Sequence, residues 1–179
     1  MTNSDTHHSS NSDSPSANAE ALKEQGNAKF EARAFKDAIK LYSKAIASNS
    51  NVANYFSNRA AAWMMLGALD EAIADCNKAV LIDPLHLRSH LRLAKALCEK
   101  GDFATAEQKL TAAAVHQPDQ ELNQELVKVT QLRIARDAAD LAYSEGRFEE
   151  AQNLFQVNAK QVFSPRVGYD MVGFKKYHS

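Results

Sequence analysis

Several side chains of the sequence have the chemistry to bind an anion, and five of them are Lys23, Asn27, Asn58, Arg88 and Arg92. Lysine and arginine carry positive charge and asparagine donates hydrogen bonds, so the set suits carboxylate groups. Lys23 and Asn27 are four residues apart, as are Arg88 and Arg92, which places each pair on one face of a helix. Considered singly, the same residues are also typical of a solvated helix face. Whether they form an anion-binding site or a solvated surface depends on the secondary-structure elements that carry them.

An internal repeat of 34 residues reveals those elements. Small residues share three columns of the repeat: Gly26, Ala60 and Ala94; Ala38, Ala72 and Ala106; and Ala45, Ala79 and Ala113. Apolar residues, most of them large, fill other columns, among them Phe30, Met64 and Cys98; Phe35, Leu69 and Phe103; and Tyr42, Cys76 and Leu110. Two antiparallel helices approach closely only where side chains are small. Each repeat is therefore predicted to be a pair of antiparallel helices.

Glycine and proline mark the predicted helix ends. Gly67 and Gly101 fall in the middle of the second and third repeats, where glycine suits a helix C-terminus, and Pro84 and Pro118 stop the second helix of each pair. After Pro118 the spacing of Gly, Phe and Ala recurs 45 residues later instead of 34. The excess is about three helical turns. This predicts a lengthened helix followed by a degenerate fourth pair.

The predicted fold class is all-α, a right-handed solenoid of antiparallel helix pairs. A disordered N-terminal arm is expected over residues 1–18, because this stretch is polar and has no large apolar residue after Met1 to bury. The three repeats cover residues 19–118. The lengthened helix and the fourth pair cover 119–160, and a mobile tail is expected over 161–179.

Composition argues against several classes of function. A net charge of −1 provides no basic field for nucleic acid, and no apolar run is long enough to cross a bilayer. The two cysteines, Cys76 and Cys98, fall in core columns and indicate a reducing compartment. We expect a cytoplasmic monomer, with the nucleus as an alternative location. We expect neither a cofactor nor enzymatic activity, because no catalytic motif occurs. His86 and His90 have metal-compatible spacing, but His90 occupies a large-residue column and is expected to be packed.

The alternation of small and large positions over 34 residues resembles the tetratricopeptide repeat, or TPR, across residues 19–118. In solenoids of helix pairs the first helix of each pair lines the concave side. The corresponding face of this chain carries Glu20, Lys23, Glu24 and Asn27, then Asn54, Ser57, Asn58 and Ala61, then Arg88, Leu91, Arg92 and Lys95. It is polar, and its cations belong to the first and third repeats.

On this face Lys23, Asn27, Asn58, Arg88 and Arg92 resemble the two-carboxylate clamp of TPR co-chaperones, which grips the C-terminal Glu-Glu-Val-Asp of seventy- and ninety-kilodalton heat-shock proteins. The resemblance implies that Lys23, Asn27 and Asn58 hold the terminal main-chain carboxylate. Arg88 would hold the Asp side chain, and Arg92 would contact the peptide upstream. The family usually has lysine at Arg88, so a planar fork replaces a point charge. Secondary groove contacts are expected from Asn54, Met65 and Lys95.

Two other functions remain open. A TPR scaffold would bind an internal peptide or a helix of a different partner in the same groove. Alternatively, the chain is the N-terminal part of a longer J-domain co-chaperone. The Met-Met-Leu-Gly at 64–67, the paired Arg88 and Arg92, and the Asn-Gln-Glu-Leu at 123–126 are similar to the first repeat block of such proteins, although the sequence has no His-Pro-Asp motif.

Overall fold

A computed structural model of the chain describes residues 15–162, and this range is helical with no strand. The helices are α1 (Pro15–Glu31), α2 (Phe35–Ser48), α3 (Ala53–Met65), α4 (Leu69–Ile82), α5 (Leu87–Glu99), α6 (Phe103–His116), α7 (Gln120–Ser144) and α8 (Phe148–Val162). None of these helices is both long and apolar enough to cross a membrane. The prediction of an all-α fold is confirmed.

Helices α1 to α6 belong to a compact unit that extends to Asn123. Each helix in this unit packs against the next one in sequence. In addition, α1 contacts α3 and α3 contacts α5. The first helices of the three pairs therefore form a continuous layer, the first-helix layer, which is where the predicted polar face lies.

The small-residue columns form the core of this unit. Ala60 and Ala94 are completely buried, and Gly26 in the same column is buried too. A Cβ atom on Gly26 would lie 2.5 Å from Cε1 of Tyr42, whose ring is itself buried. Glycine is required at this position of the first repeat because a rigid aromatic ring packs directly against the α1 backbone.

The four first helices, α1, α3, α5 and α7, end in the same hydrogen-bonded turn. In the second pair the amide of Gly67 donates to the Met64 carbonyl at 3.0 Å, and the amide of Ala68 donates to the Trp63 carbonyl at 3.0 Å. This pair of hydrogen bonds requires a residue in the left-handed conformation just after the helix. Gly67, Gly101 and Gly146 supply it with φ of 73°, 86° and 77°, whereas the first repeat uses Arg33 with φ of 58°.

Replacing Arg33 with glycine is expected to stabilise the fold by about 1 kcal/mol, because a side chain in the left-handed region is strained and glycine is not. Chemical denaturation monitored by circular dichroism would measure the difference. Gly67→Ala is the matched opposite change and should destabilise by a similar amount. A loss of stability in Arg33→Gly would show that the Arg33 side chain contributes more than its backbone strain removes.

A second compact unit begins at Gln124 and contains most of α7 together with α8. Helix α7 is 25 residues long, which agrees with the lengthened helix expected from the 45-residue spacing. Its buried side chains include Val129, Leu132 and Ala139. At the turn into α8, the rings of Tyr143 and Phe148 meet edge to face with centroids 5.2 Å apart.

The ends of the described range differ slightly from the predicted limits. Helix α1 already begins at Pro15, inside the expected arm, because proline is favoured in the first turn of a helix. Helix α8 continues to Val162, past the expected limit of 160. The rest of the predicted arm, residues 1–14, and the tail from residue 163 lie outside the described residues.

Candidate functional site

Two asparagine side chains from successive helix pairs bond to each other on the first-helix layer. Asn58 Nδ2 on α3 donates to Asn27 Oδ1 on α1 at 3.2 Å. The hydroxyl of Tyr42 on α2 donates to the same oxygen at 2.8 Å. Burial raises the pKa of Tyr42 to about 12, so the hydroxyl stays a donor at neutral pH. Both of these hydrogen bonds are accepted by Asn27 Oδ1. The Nδ2 group of Asn27 can therefore donate to a third group.

That third group is the Glu24 carboxylate, whose Oε2 accepts from Asn27 Nδ2 at 3.1 Å. The other oxygen of Glu24 lies 2.6 Å from the ammonium of Lys23. Lys23 also pairs with Glu20, and these two carboxylates raise its pKa, Glu20 more than Glu24. Only 16% of the Lys23 side chain is exposed, so most of this side chain is covered by neighbouring protein atoms.

Arg92 on α5 extends the same surface to the third helix pair. Its Nη1 donates to the carbonyl of Ser57 at 2.9 Å and to the Ser57 hydroxyl at 2.6 Å. Burial, followed by the nearby charge of Arg88, lowers the pKa of Arg92. Among the described residues no carboxylate lies within ion-pair distance of Arg92. A partly buried guanidinium without an anion is unfavourable in itself and favours the approach of an anionic ligand.

Arg88 and Lys95 lie on the same helix as Arg92 and are exposed to solvent. Within residues 15–162 neither side chain makes a hydrogen bond or an ion pair. Burial is the main cause of the lowered pKa of both Arg92 and His86, and the charge of Arg88 lowers both further, which places Arg88 close to these two groups. Helix α5 therefore presents cations that its own neighbours do not neutralise.

The two predicted secondary contacts on α3 lie at opposite ends of that helix. Asn54 is in its first turn, and its Oδ1 lies 2.9 Å from Nε2 of His86, whose Nδ1 in turn lies 2.7 Å from Ser89 Oγ. Met65 is the last residue of α3 and is 49% exposed. Eleven residues of helix separate them by about 16 Å. They therefore do not share one subsite. The side-chain oxygen of Asn54 already forms a hydrogen bond with His86.

Tyr42 and Ser57 also belong to this site, although neither is predicted from its sequence position to contact the ligand. Tyr42 was identified only as a large core residue, but its hydroxyl sets the orientation of Asn27. Ser57 was expected on the polar face, yet it is completely buried and acts as the acceptor for Arg92. A 34-residue period identifies shared faces, but it cannot show which hydroxyl reaches across to a neighbouring helix.

The histidine and cysteine positions have ordinary structural roles. His90 is only 9% exposed, and its Nε2 lies 2.9 Å from the Pro84 carbonyl, as expected for a packed histidine. Cys76 and Cys98 are buried, and burial raises the pKa of Cys76 to about 12. In the part of the chain that the structure describes, no group of three or more metal-ligating side chains comes together.

Comparison with known proteins places this geometry among repeat proteins. The family profile named tetratricopeptide repeat matches residues 23–86. Small glutamine-rich tetratricopeptide repeat-containing protein 2 of Mycosarcoma maydis is 43% identical over 95 residues, which are 53% of this chain and 27% of that protein. DnaJ homolog subfamily C member 7 of Mus musculus is 41% identical over 88 residues, 49% of this chain and 18% of that protein. The matched region thus spans about a quarter or less of these relatives.

Solved structures give matches that cover whole domains. The TPR2B-domain:pHsp70 complex of yeast Sti1 is 33% identical, with a TM-score of 0.59 over 64% of this chain and 97% of that one. The first TPR of Spaghetti (RPAP3) bound to the HSP90 peptide SRMEEVD is 27% identical, with a TM-score of 0.60 over 65% of this chain and 93% of that one. By repeat period, helix-pair architecture and these matches, the chain belongs to the tetratricopeptide-repeat family.

Proposed function

We propose that this chain is an adaptor or co-chaperone module that binds the C-terminal Glu-Glu-Val-Asp carboxylates of heat-shock chaperones of the seventy- or ninety-kilodalton class. The observation that supports this best is the convergence of donors from three helix pairs. Asn27 and Asn58 are directly bonded, and Arg92 is anchored on Ser57, the residue next to Asn58. A free chain end with a neighbouring acidic side chain matches such a set of donors.

In this proposal Lys23, Asn27 and Asn58 hold the terminal main-chain carboxylate. Arg88, which is exposed and has no partner in the described range, takes the Asp side chain, and Arg92 contacts the peptide upstream. Lys95 lies one turn further along α5 and offers a secondary contact. Asn54 and Met65 make peripheral contacts with the peptide in this proposal, one on each side of the central donors.

The solved relatives lend support because of what they hold. The Sti1 domain forms a complex with pHsp70, and the RPAP3 domain holds a peptide that ends in Glu-Glu-Val-Asp. Binding of such tails requires no catalysis and no cofactor. A monomer in the cytoplasm, with access to the nucleus, is the corresponding proposal for state and location.

The J-domain alternative is favoured by one specific observation, the 41% identity to DnaJ homolog subfamily C member 7. The match covers only 18% of that protein, so it concerns a small part of it. This alternative is compatible with tail binding, since a repeat block can serve the same ligand within a longer chain. A scaffold for internal peptides is the competing class, because it requires no free carboxyl terminus.

A peptide ending in Glu-Glu-Val-Asp with a free carboxyl terminus is expected to bind with a Kd on the order of micromolar, about −8 kcal/mol. The same peptide with an amidated C-terminus should bind at least about tenfold more weakly, because a charge-assisted hydrogen bond contributes about 1.5–3 kcal/mol. Fluorescence anisotropy of the labelled peptides would measure both values. Equal binding of the two peptides would exclude the clamp and favour the internal-peptide scaffold.

A further inference from the structure

The Glu24 carboxylate occupies the same donors that the proposed function assigns to the ligand. Its Oε1 lies 2.6 Å from Lys23 Nζ, and its Oε2 accepts from Asn27 Nδ2 at 3.1 Å. One carboxylate thus places one oxygen on each of two neighbouring donors. This is the arrangement that a peptide C-terminus would adopt if it entered the site.

Glu20, the other carboxylate on Lys23, is held differently. Its second oxygen accepts from the hydroxyl of Tyr55 at 3.1 Å, and Tyr55 is buried in α3. Glu20 is therefore tethered to the neighbouring helix pair. The Glu24 side chain is 63% exposed, and both of its oxygens are engaged by the two donors. Glu24 can turn into solvent without losing any buried contact, whereas Glu20 cannot.

We propose that Glu24 is an internal competitor for the carboxylate site, which occupies Lys23 and Asn27 in the unliganded protein and is displaced when a ligand carboxylate binds. This inference rests on the proposed function. Two carboxylates on the same donors would repel each other, so occupation by Glu24 and by ligand exclude one another. Each binding event must first break the Glu24 contacts, and Glu24 therefore lowers the affinity for the tail.

Glu24→Gln and Glu24→Ala are expected to bind the free-acid Glu-Glu-Val-Asp peptide about three- to tenfold more tightly than the unmodified chain. Glu31→Gln is the matched control, because Glu31 is exposed on the same helix and its substitution changes the net charge equally. Its effect should stay below about twofold. Anisotropy titrations of all four proteins with the same peptide would measure the affinities.

A second measurement examines the contact without any ligand. In ¹H–¹⁵N spectra of the peptide-free proteins, the side-chain amide of Asn27 should shift in Glu24→Ala and stay in place in Glu31→Gln. Affinity in the Glu24 variants that equals or falls below that of the unmodified chain would overturn the inference and leave the proposed function standing. An equal gain in Glu31→Gln would overturn it as well, in favour of a general charge effect. Failure of the unmodified chain to bind the peptide would overturn both.

Discussion

Replacing Arg92 with methionine is expected to weaken binding of the free-acid Glu-Glu-Val-Asp peptide by at least about tenfold, while the free energy of unfolding stays level or rises. Burial and the nearby Arg88 disfavour the charged form of Arg92, as its lowered pKa indicates. In the described range its only hydrogen-bond acceptors are the two oxygens of Ser57. Removing the charge therefore costs the fold little but removes a donor from the ligand.

Such a separation of binding from stability distinguishes a ligand-binding arginine from a structural one. Lys40→Met is the control for loss of a positive charge, since Lys40 is 74% exposed on α2 and pairs with Asp37 at 3.3 Å. The control should bind the peptide within about twofold of the unmodified chain. Unchanged binding in Arg92→Met would remove this residue from the site, and a marked loss of stability would show that it is structural.

The largest effect on stability is expected from Arg59→Met, a loss of about 3–5 kcal/mol in the free energy of unfolding. Arg59 Nε and Nη2 donate to the two oxygens of Asp75 at 2.8 and 2.7 Å, and Nη1 donates to Ser43 Oγ at 2.9 Å. The Asp75 side chain is only 9% exposed. Methionine keeps much of the apolar stem but leaves a buried carboxylate without its partner. Urea denaturation would measure the change.

Two further variants determine whether the unpaired charge causes the loss. Arg59→Met combined with Asp75→Leu should recover most of the lost stability, because no buried charge remains. Lys40→Met removes an exposed ion pair and should change the free energy of unfolding by less than about 1 kcal/mol. If the double variant were no more stable than Arg59→Met, the loss would have to come from packing around Arg59.

Much of the fold followed from the sequence because repeat proteins depend on local periodicity. The columns of small residues predicted antiparallel helix pairs, and Ala60 and Ala94 are indeed completely buried. The altered spacing after Pro118 predicted the lengthened helix, which the structure places at Gln120–Ser144. Arg33 was not anticipated, because a residue other than glycine rarely adopts the left-handed conformation that ends α1.

The sequence by itself determined which side chains share the first-helix layer, because helical spacing decides the face on which a residue lies. Only the tertiary structure decided how those side chains pair. The Tyr42 hydroxyl orients Asn27 from a different helix, and the Glu24 carboxylate accepts the hydrogen bond from Asn27 Nδ2. The Arg59–Asp75 bridge likewise joins two helices. Such contacts depend on rotamers and on differences of about a few tenths of an ångström in the spacing between helices, which periodicity in the sequence does not encode.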